Sequence, residues 1–195
     1  MMKIGLYFGS FNPIHIGHLI VANYFAEKTD LDQVWVVITP QSPDKVKLNM
    51  LSDRQRYQLV ELATSQYPKI KPCDIEFGLP QPNYTINTLV KLNEKYSNKS
   101  FSLIMGEDNL TTFHKWKNYQ AILDYHQLYV YPRISSSKRK QDLSLMDHPK
   151  IIRVNAPMIE ISSSMVRRFI KDGLNYYPLL PREVANHIEH NLLYK

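Results

Sequence analysis

The sequence predicts an α/β fold: a Rossmann-like, doubly wound and mainly parallel sheet with helices on both faces. Two observations lead there. Short apolar runs alternate with stretches of helical period along the chain, the βαβα rhythm of a parallel sheet covered by helices. The runs are also continuously apolar and rich in β-branched residues, as strands buried on both faces are. With 195 residues, no internal repeat and no interior linker, residues 1–195 are expected to form one domain, helical from about 163 to 195.

Ile4 to Phe8 reads as the first strand, followed by a Gly/Ser/Asn/Pro loop from Gly9. His18 to Lys28 reads as a helix, with Leu19, Ala22, Tyr24, Phe25 and Ala26 as its apolar members. Val34 to Ile38 is a second strand. A loop rich in Pro and Lys runs to Ser52, which caps a helix over Asp53 to Gln66. Lys69 to Cys73 is a third strand and Tyr84 to Tyr96 a third helix. Phe101 to Met105 is a buried strand ended by Gly106, and residues 107–125 read as one or two helices. Strands at Leu128 to Tyr131 and Ile151 to Val154 flank a polar loop. Ser163 to Lys171 is a helix stopped by Gly173, and Arg182 to Asn191 a terminal helix after Pro178 and Pro181.

Composition narrows the function classes. The chain is 44% hydrophobic and 22% charged, ordinary for a globular protein. No apolar run approaches a membrane span, and the opening MMKIGLYFGSF lacks the apolar core and cleavage site of a signal peptide. A single cysteine, Cys73, forms no intrachain disulfide, so a cytoplasmic location is expected and Cys73 reads as structural. The net charge of +6 suits anionic ligands, nucleotides or nucleic acid alike. The basic run Lys138-Arg139-Lys140 reads as a solvated loop.

The most informative segment is Gly9-Ser10-Phe11-Asn12-Pro13-Ile14-His15-Ile16-Gly17-His18, between the first strand and the first helix. Ligands of open α/β sheets bind beyond the carboxyl ends of strands, and a helix start there offers N–H groups and positive dipole to a phosphate. Gly9 permits close backbone approach or a positive φ. His15 and His18, three apart, share a face if helical geometry spans them. With Gly17 leaving that face clear, both imidazoles can donate to phosphate oxygens. No third ligand supports zinc.

This segment resembles the (T/H)xGH signature of the nucleotidyltransferase superfamily, and in its longer form the nicotinate-nucleotide adenylyltransferase family. Asn12 stands where that family often has Asp, and is given no catalytic role. Ile161 to Arg167 is similar to the family's ISSTxIR motif, with Ser164 in place of Thr. Gly106 and Asp108 resemble the glycine and aspartate that border the adenosine. The resemblance implies ATP binding by Gly9, Ser10, Phe11, His15, His18, Gly106, Asp108, Ser163, Ser164 and Arg167, with His15 and His18 catalytic. It implies acceptor binding by Lys45, in a loop where Asp44 replaces the family's usual His, and by Tyr84, Thr85, Trp116 and Arg133. Arg56 matches a family arginine, or is surface charge.

The implied reaction joins the AMP part of ATP to nicotinate mononucleotide in NAD biosynthesis and releases pyrophosphate. Mg2+ would be bound mainly through the ATP phosphates, with no metal site in the protein itself. The implied partners are small molecules, not nucleic acid or membrane, and a homo-oligomer is allowed. The alternatives are nicotinamide mononucleotide adenylyltransferase and, in a different class, a basic nucleic-acid-binding module.

Overall fold

Each expected strand forms, in a topology that creates one crevice. A computed structural model describes residues 1–43, 50–133, 145 and 147–195. Among these, the strands are β1 (Met2–Gly9), β2 (Gln33–Ile38), β3 (Ile70–Cys73), β4 (Lys99–Gly106), β5 (Leu128–Tyr131) and β6 (Ile151–Arg153). They lie in the order β3-β2-β1-β4-β5-β6, and every neighbouring pair is parallel. The chain winds outward from β1 through β2 to β3, then returns to β4 on the other side of β1. That reversal splays apart the loops leaving β1 and β4, which opens a ligand crevice at their carboxyl ends.

The helices are α1 (Ile16–Lys28), α2 (Asp53–Thr64), α3 (Thr85–Lys95), α4 (Glu107–Leu110), α5 (Tyr119–Tyr125), α6 (Ser163–Lys171) and α7 (Arg182–His190). Ser52 caps α2 as expected: the Gln55 amide donates to its Oγ at 3.3 Å, and the Ser52 amide donates to Gln55 Oε1 at 3.1 Å, a reciprocal cap satisfying two helix-end donors. The stretch 107–125 is broken into α4, a 3-10 turn at Phe113–Lys115, and α5. Asn118, at φ 54°, makes the break. A further 3-10 turn at Ile75–Gly78, where no element was expected, carries Glu76 under the site.

Side chains alternate across the sheet with the strand period of two. Tyr129 and Tyr131 face the layer of α1, α2, α6 and α7, with Val36 and Ile38 beside them. Leu128 and Val130 face the α3 and α5 layer, together with Ile4, Leu6 and Val37. Each such fully buried aliphatic contributes about 1.5–3 kcal/mol. These two cores hold the strand ends, and the loops leaving them, in fixed relation.

Candidate active site

The loop from β1 to α1 is held from several directions. His15 caps α1 with extended backbone (φ −138°, ψ 171°), so it is not in the helix with His18. The two rings nevertheless stack, 3.6 Å between centroids. The His15 amide donates to His18 Nδ1 at 3.3 Å, leaving the proton of a neutral His18 ring on Nε2. His15 is buried, and its Nδ1 has no protein partner. Burial, reinforced by the charge of Arg133, lowers its pKa from 6.5 to about 4, so it is neutral at physiological pH. Gly17 acts differently from expectation. A Cβ there would meet the His15 ring at 3.1 Å and Ile159 at 3.2 Å, so the glycine makes room for His15 rather than for a ligand.

Phe11 carries the positive φ of the loop, 44°. Only 2% of it is exposed, and its ring meets that of His18 edge-on at 5.0 Å. Phe11 was expected among the ATP-binding residues; its ring is core and supports His18. Asn12 is the junction of the loop. Its Oδ1 accepts from the Leu51 amide at 3.2 Å and from the Tyr194 hydroxyl at 2.8 Å. Arg56 is not surface charge. It is fully buried, donating to the carbonyls of Ser10, Thr39 (3.0 Å) and Leu51 (3.3 Å) and pairing with Asp53. One guanidinium thus binds the loops after β1 and β2 to α2.

The distant serine-rich motif joins this loop directly. Ser162 caps α6, accepting from the Met165 amide at 3.1 Å. Ser163 Oγ donates to the Pro13 carbonyl at 2.8 Å. Arg167 donates to the Asn12 carbonyl at 2.7 Å and to Ser164 Oγ at 3.3 Å. Two helix starts, α1 and α6, therefore converge at one point. The Ser163 hydroxyl proton goes to the loop, which leaves the first amides of α6 and the remaining N–H groups of Arg167 as its anion donors.

Asp108 and Arg133 meet at the end of β4, Arg133 Nη1 lying 3.3 Å from Asp108 Oδ2. Asp108 Oδ1 is buried without a protein partner. A Cβ at Gly106 would lie 2.4 Å from that oxygen, so glycine there is a condition of the aspartate's position. Arg133 was expected with the acceptor group. Its neighbours are Gly106 and Asp108, and its charge acts on His15, on the histidine side of the crevice.

A cavity of about 550 Å3 opens beside the β1 loop. Gly9, Ser10, Tyr84, Thr85 and Trp116 line it, so three of the expected acceptor residues come together with two expected for ATP. Trp116, half-buried, leans on Phe113 at 5.2 Å. Thr85 opens α3 after the Tyr84 cap. Lys115, Lys117 and Glu76 are the lysine and carboxyl side chains among the described lining residues. Glu76 is buried; Oε1 accepts from Thr88 Oγ1 at 2.6 Å, and Oε2 has no partner. Burial pushes its pKa up, against the hydrogen bonds of Thr88 and Thr39. Lys45 and the basic run at 138–140 lie outside the described residues.

Comparison with known proteins agrees with this geometry. The cytidylyltransferase-like family matches residues 6–169. A Flavobacterium johnsoniae protein named probable nicotinate-nucleotide adenylyltransferase is 59% identical over 194 residues, covering all of both chains. A Bacteroides thetaiotaomicron protein of the same name is 40% identical, covering 90% of this chain and 86% of its own. The chain belongs to the nicotinate-nucleotide adenylyltransferase family. Its fold is that of the Plasmodium falciparum nicotinic acid mononucleotide adenylyltransferase complexed with NaAD, with a TM-score of 0.81 at 21% identity over 100% of this chain and 98% of the other.

Within the family frame, the residues that sequence reasoning missed are Glu76, Lys117 and Tyr194. None sits in a motif with a mechanism of its own. Glu76 and Tyr194 reach the site only through folding, Tyr194 across 182 positions of sequence, whereas Lys117 directly follows Trp116. Among the described residues, no helix is long and apolar enough to cross a membrane.

Proposed function

We propose that this protein transfers the adenylyl group of ATP to nicotinate mononucleotide, forming nicotinate adenine dinucleotide and pyrophosphate, as a step of NAD biosynthesis. The observation that carries this is the direct joining of the histidine loop to the start of α6, Ser163 to Pro13 at 2.8 Å and Arg167 to Asn12 at 2.7 Å, beside a cavity lined by Tyr84, Thr85 and Trp116. The first is a cradle for a polyphosphate, the second a slot for a flat ring.

The nucleophile is a phosphate monoester. Its second pKa is about 6, so it is largely dianionic at neutral pH and needs no general base. The barrier lies in bringing anions together in line, which positioning and fixed donors lower. His18 donates from Nε2 to the phosphate under attack, with neutral His15 stacked behind it. Arg167 and the first amides of α6 hold the departing pyrophosphate. Trp116 stacks on the pyridine, and the α3 start at Thr85 receives the acid substituent. Mg2+ would arrive on the ATP phosphates and offset their charge, with Asp108 the carboxylate that would receive its water shell. The substrates are small molecules, and a cytoplasmic location suits them.

Pyrophosphate release from ATP, measured with each pyridine mononucleotide in turn, tests the reading. The expected result is turnover with nicotinate mononucleotide well above that with nicotinamide mononucleotide. The reverse order would make the protein a nicotinamide mononucleotide adenylyltransferase, and release with neither would end the proposal.

A further inference from the structure

We propose that Lys117 is the residue that makes the acceptor cavity prefer a ring bearing a carboxylate over its carboxamide counterpart. The inference rests on the proposed reaction and specifies what the cavity asks of its acceptor. Lys117 shares the lining of the 550 Å3 cavity with Tyr84, Thr85 and Trp116. Its Nζ lies 4.7 Å from the centroid of the Tyr84 ring. An aromatic face attracts an ammonium without neutralising it, so the charge is retained in the cavity. Lys117 forms no ion pair with another described residue.

The rest of the lining does not cancel that charge. Among the described residues Glu76 is its one carboxyl group, and it is buried and hydrogen-bonded to Thr88 at 2.6 Å. Burial raises its pKa, which favours its neutral form. Tyr84 caps α3 and Thr85 begins it, so the ammonium stands beside the positive end of a helix dipole. Lys115 lines the cavity too, but Lys117 is the lysine fixed against the α3 cap.

Both mononucleotides carry the same phosphate. A lysine holding that phosphate serves acid and amide equally. A lysine facing the ring substituent separates them, because only the acid is charged there. In a partly solvated cavity, one such charge contributes roughly tenfold in relative affinity.

The test is steady-state kinetics of the wild-type chain, Lys117→Gln and Lys117→Arg with both mononucleotides at saturating ATP. For Lys117→Gln, kcat/KM with nicotinate mononucleotide is expected to fall roughly tenfold, through KM. The amide substrate and the KM for ATP stay nearly unchanged, and Lys117→Arg keeps the preference for the acid. Lys117 is exposed, so the melting temperature is a control expected not to move. Equal losses with both substrates would assign Lys117 to the phosphate and overturn the inference, as would an unchanged preference. A wild-type chain that uses neither mononucleotide overturns the proposed reaction, and this inference with it.

Discussion

The two halves of the crevice are built to different specifications. On the phosphate side, Asn12, His15 and Arg56 are buried, and hydrogen bonds from α2, α6 and Tyr194 converge on a few loop atoms. On the acceptor side, the lining includes exposed Lys115 and Lys117, and a half-buried Trp116. The difference follows from the chemistry. In-line attack between anions depends on where fixed charges and donors stand, so the reacting end must be rigid. Choosing between two rings that differ in one substituent requires only a local charge and a fitting surface, which side chains on loops can supply.

If rigidity belongs to the phosphate side, the largest effect should come from removing its central tether. Arg56→Met leaves three loop carbonyls without their donor and Asp53 without its partner, and should cost about 3–5 kcal/mol in urea unfolding. A loss under 1 kcal/mol would mean that the loops hold themselves. His18→Ala should lower turnover roughly 100–1000-fold while moving the melting temperature by only about 2–4 °C. A normal rate would exclude His18 from the mechanism.

Protonation probes the same rigidity. His15 has a pKa of about 4 in the fold against an ordinary 6.5, so the unfolded chain binds its proton first as pH falls. The stability it contributes is fully present above pH 6.5 and is lost between there and about 4, a change on the order of 3 kcal/mol. His126, whose pKa burial also lowers, acts in the same direction. Chemical unfolding across that pH range should show the slope, and His15→Gln should reduce it to the part due to His126 and, with opposite sign, to Glu76. A slope unaffected by the substitution would place His15 in solvent. The smallest effect belongs to the acceptor side: Thr85→Val should reduce the preference for nicotinate over nicotinamide mononucleotide only severalfold, as removal of one hydroxyl does. An unchanged ratio would take the Thr85 side chain out of recognition.

All six strands were legible in the sequence, because a strand buried on both faces is an apolar run that local pattern alone reveals. The histidine loop and the serine motif were legible as well, because their composition carries a phosphate-binding logic. Arg56 was not. Its acceptors are backbone carbonyls 46, 17 and 5 positions away, and nothing in the local pattern distinguishes a buried clamp from an arginine in water. The contact of Arg133 with Asp108 was not legible, since its place depends on the exit direction of β5 relative to β4. The packing role of the Phe11 ring was not legible either, because a motif shows which residues occur together, not which of them hold up the others.

Tyr194 donates to Asn12 across 182 positions of sequence. During synthesis the ribosome releases the histidine loop well before that hydroxyl. A nascent chain can therefore lay down most of its sheet while its nucleotide cradle still lacks a strut. ATP capture should switch on only once Tyr194 has emerged, and an aborted product missing the segment after α7 would compete poorly for the cell's ATP.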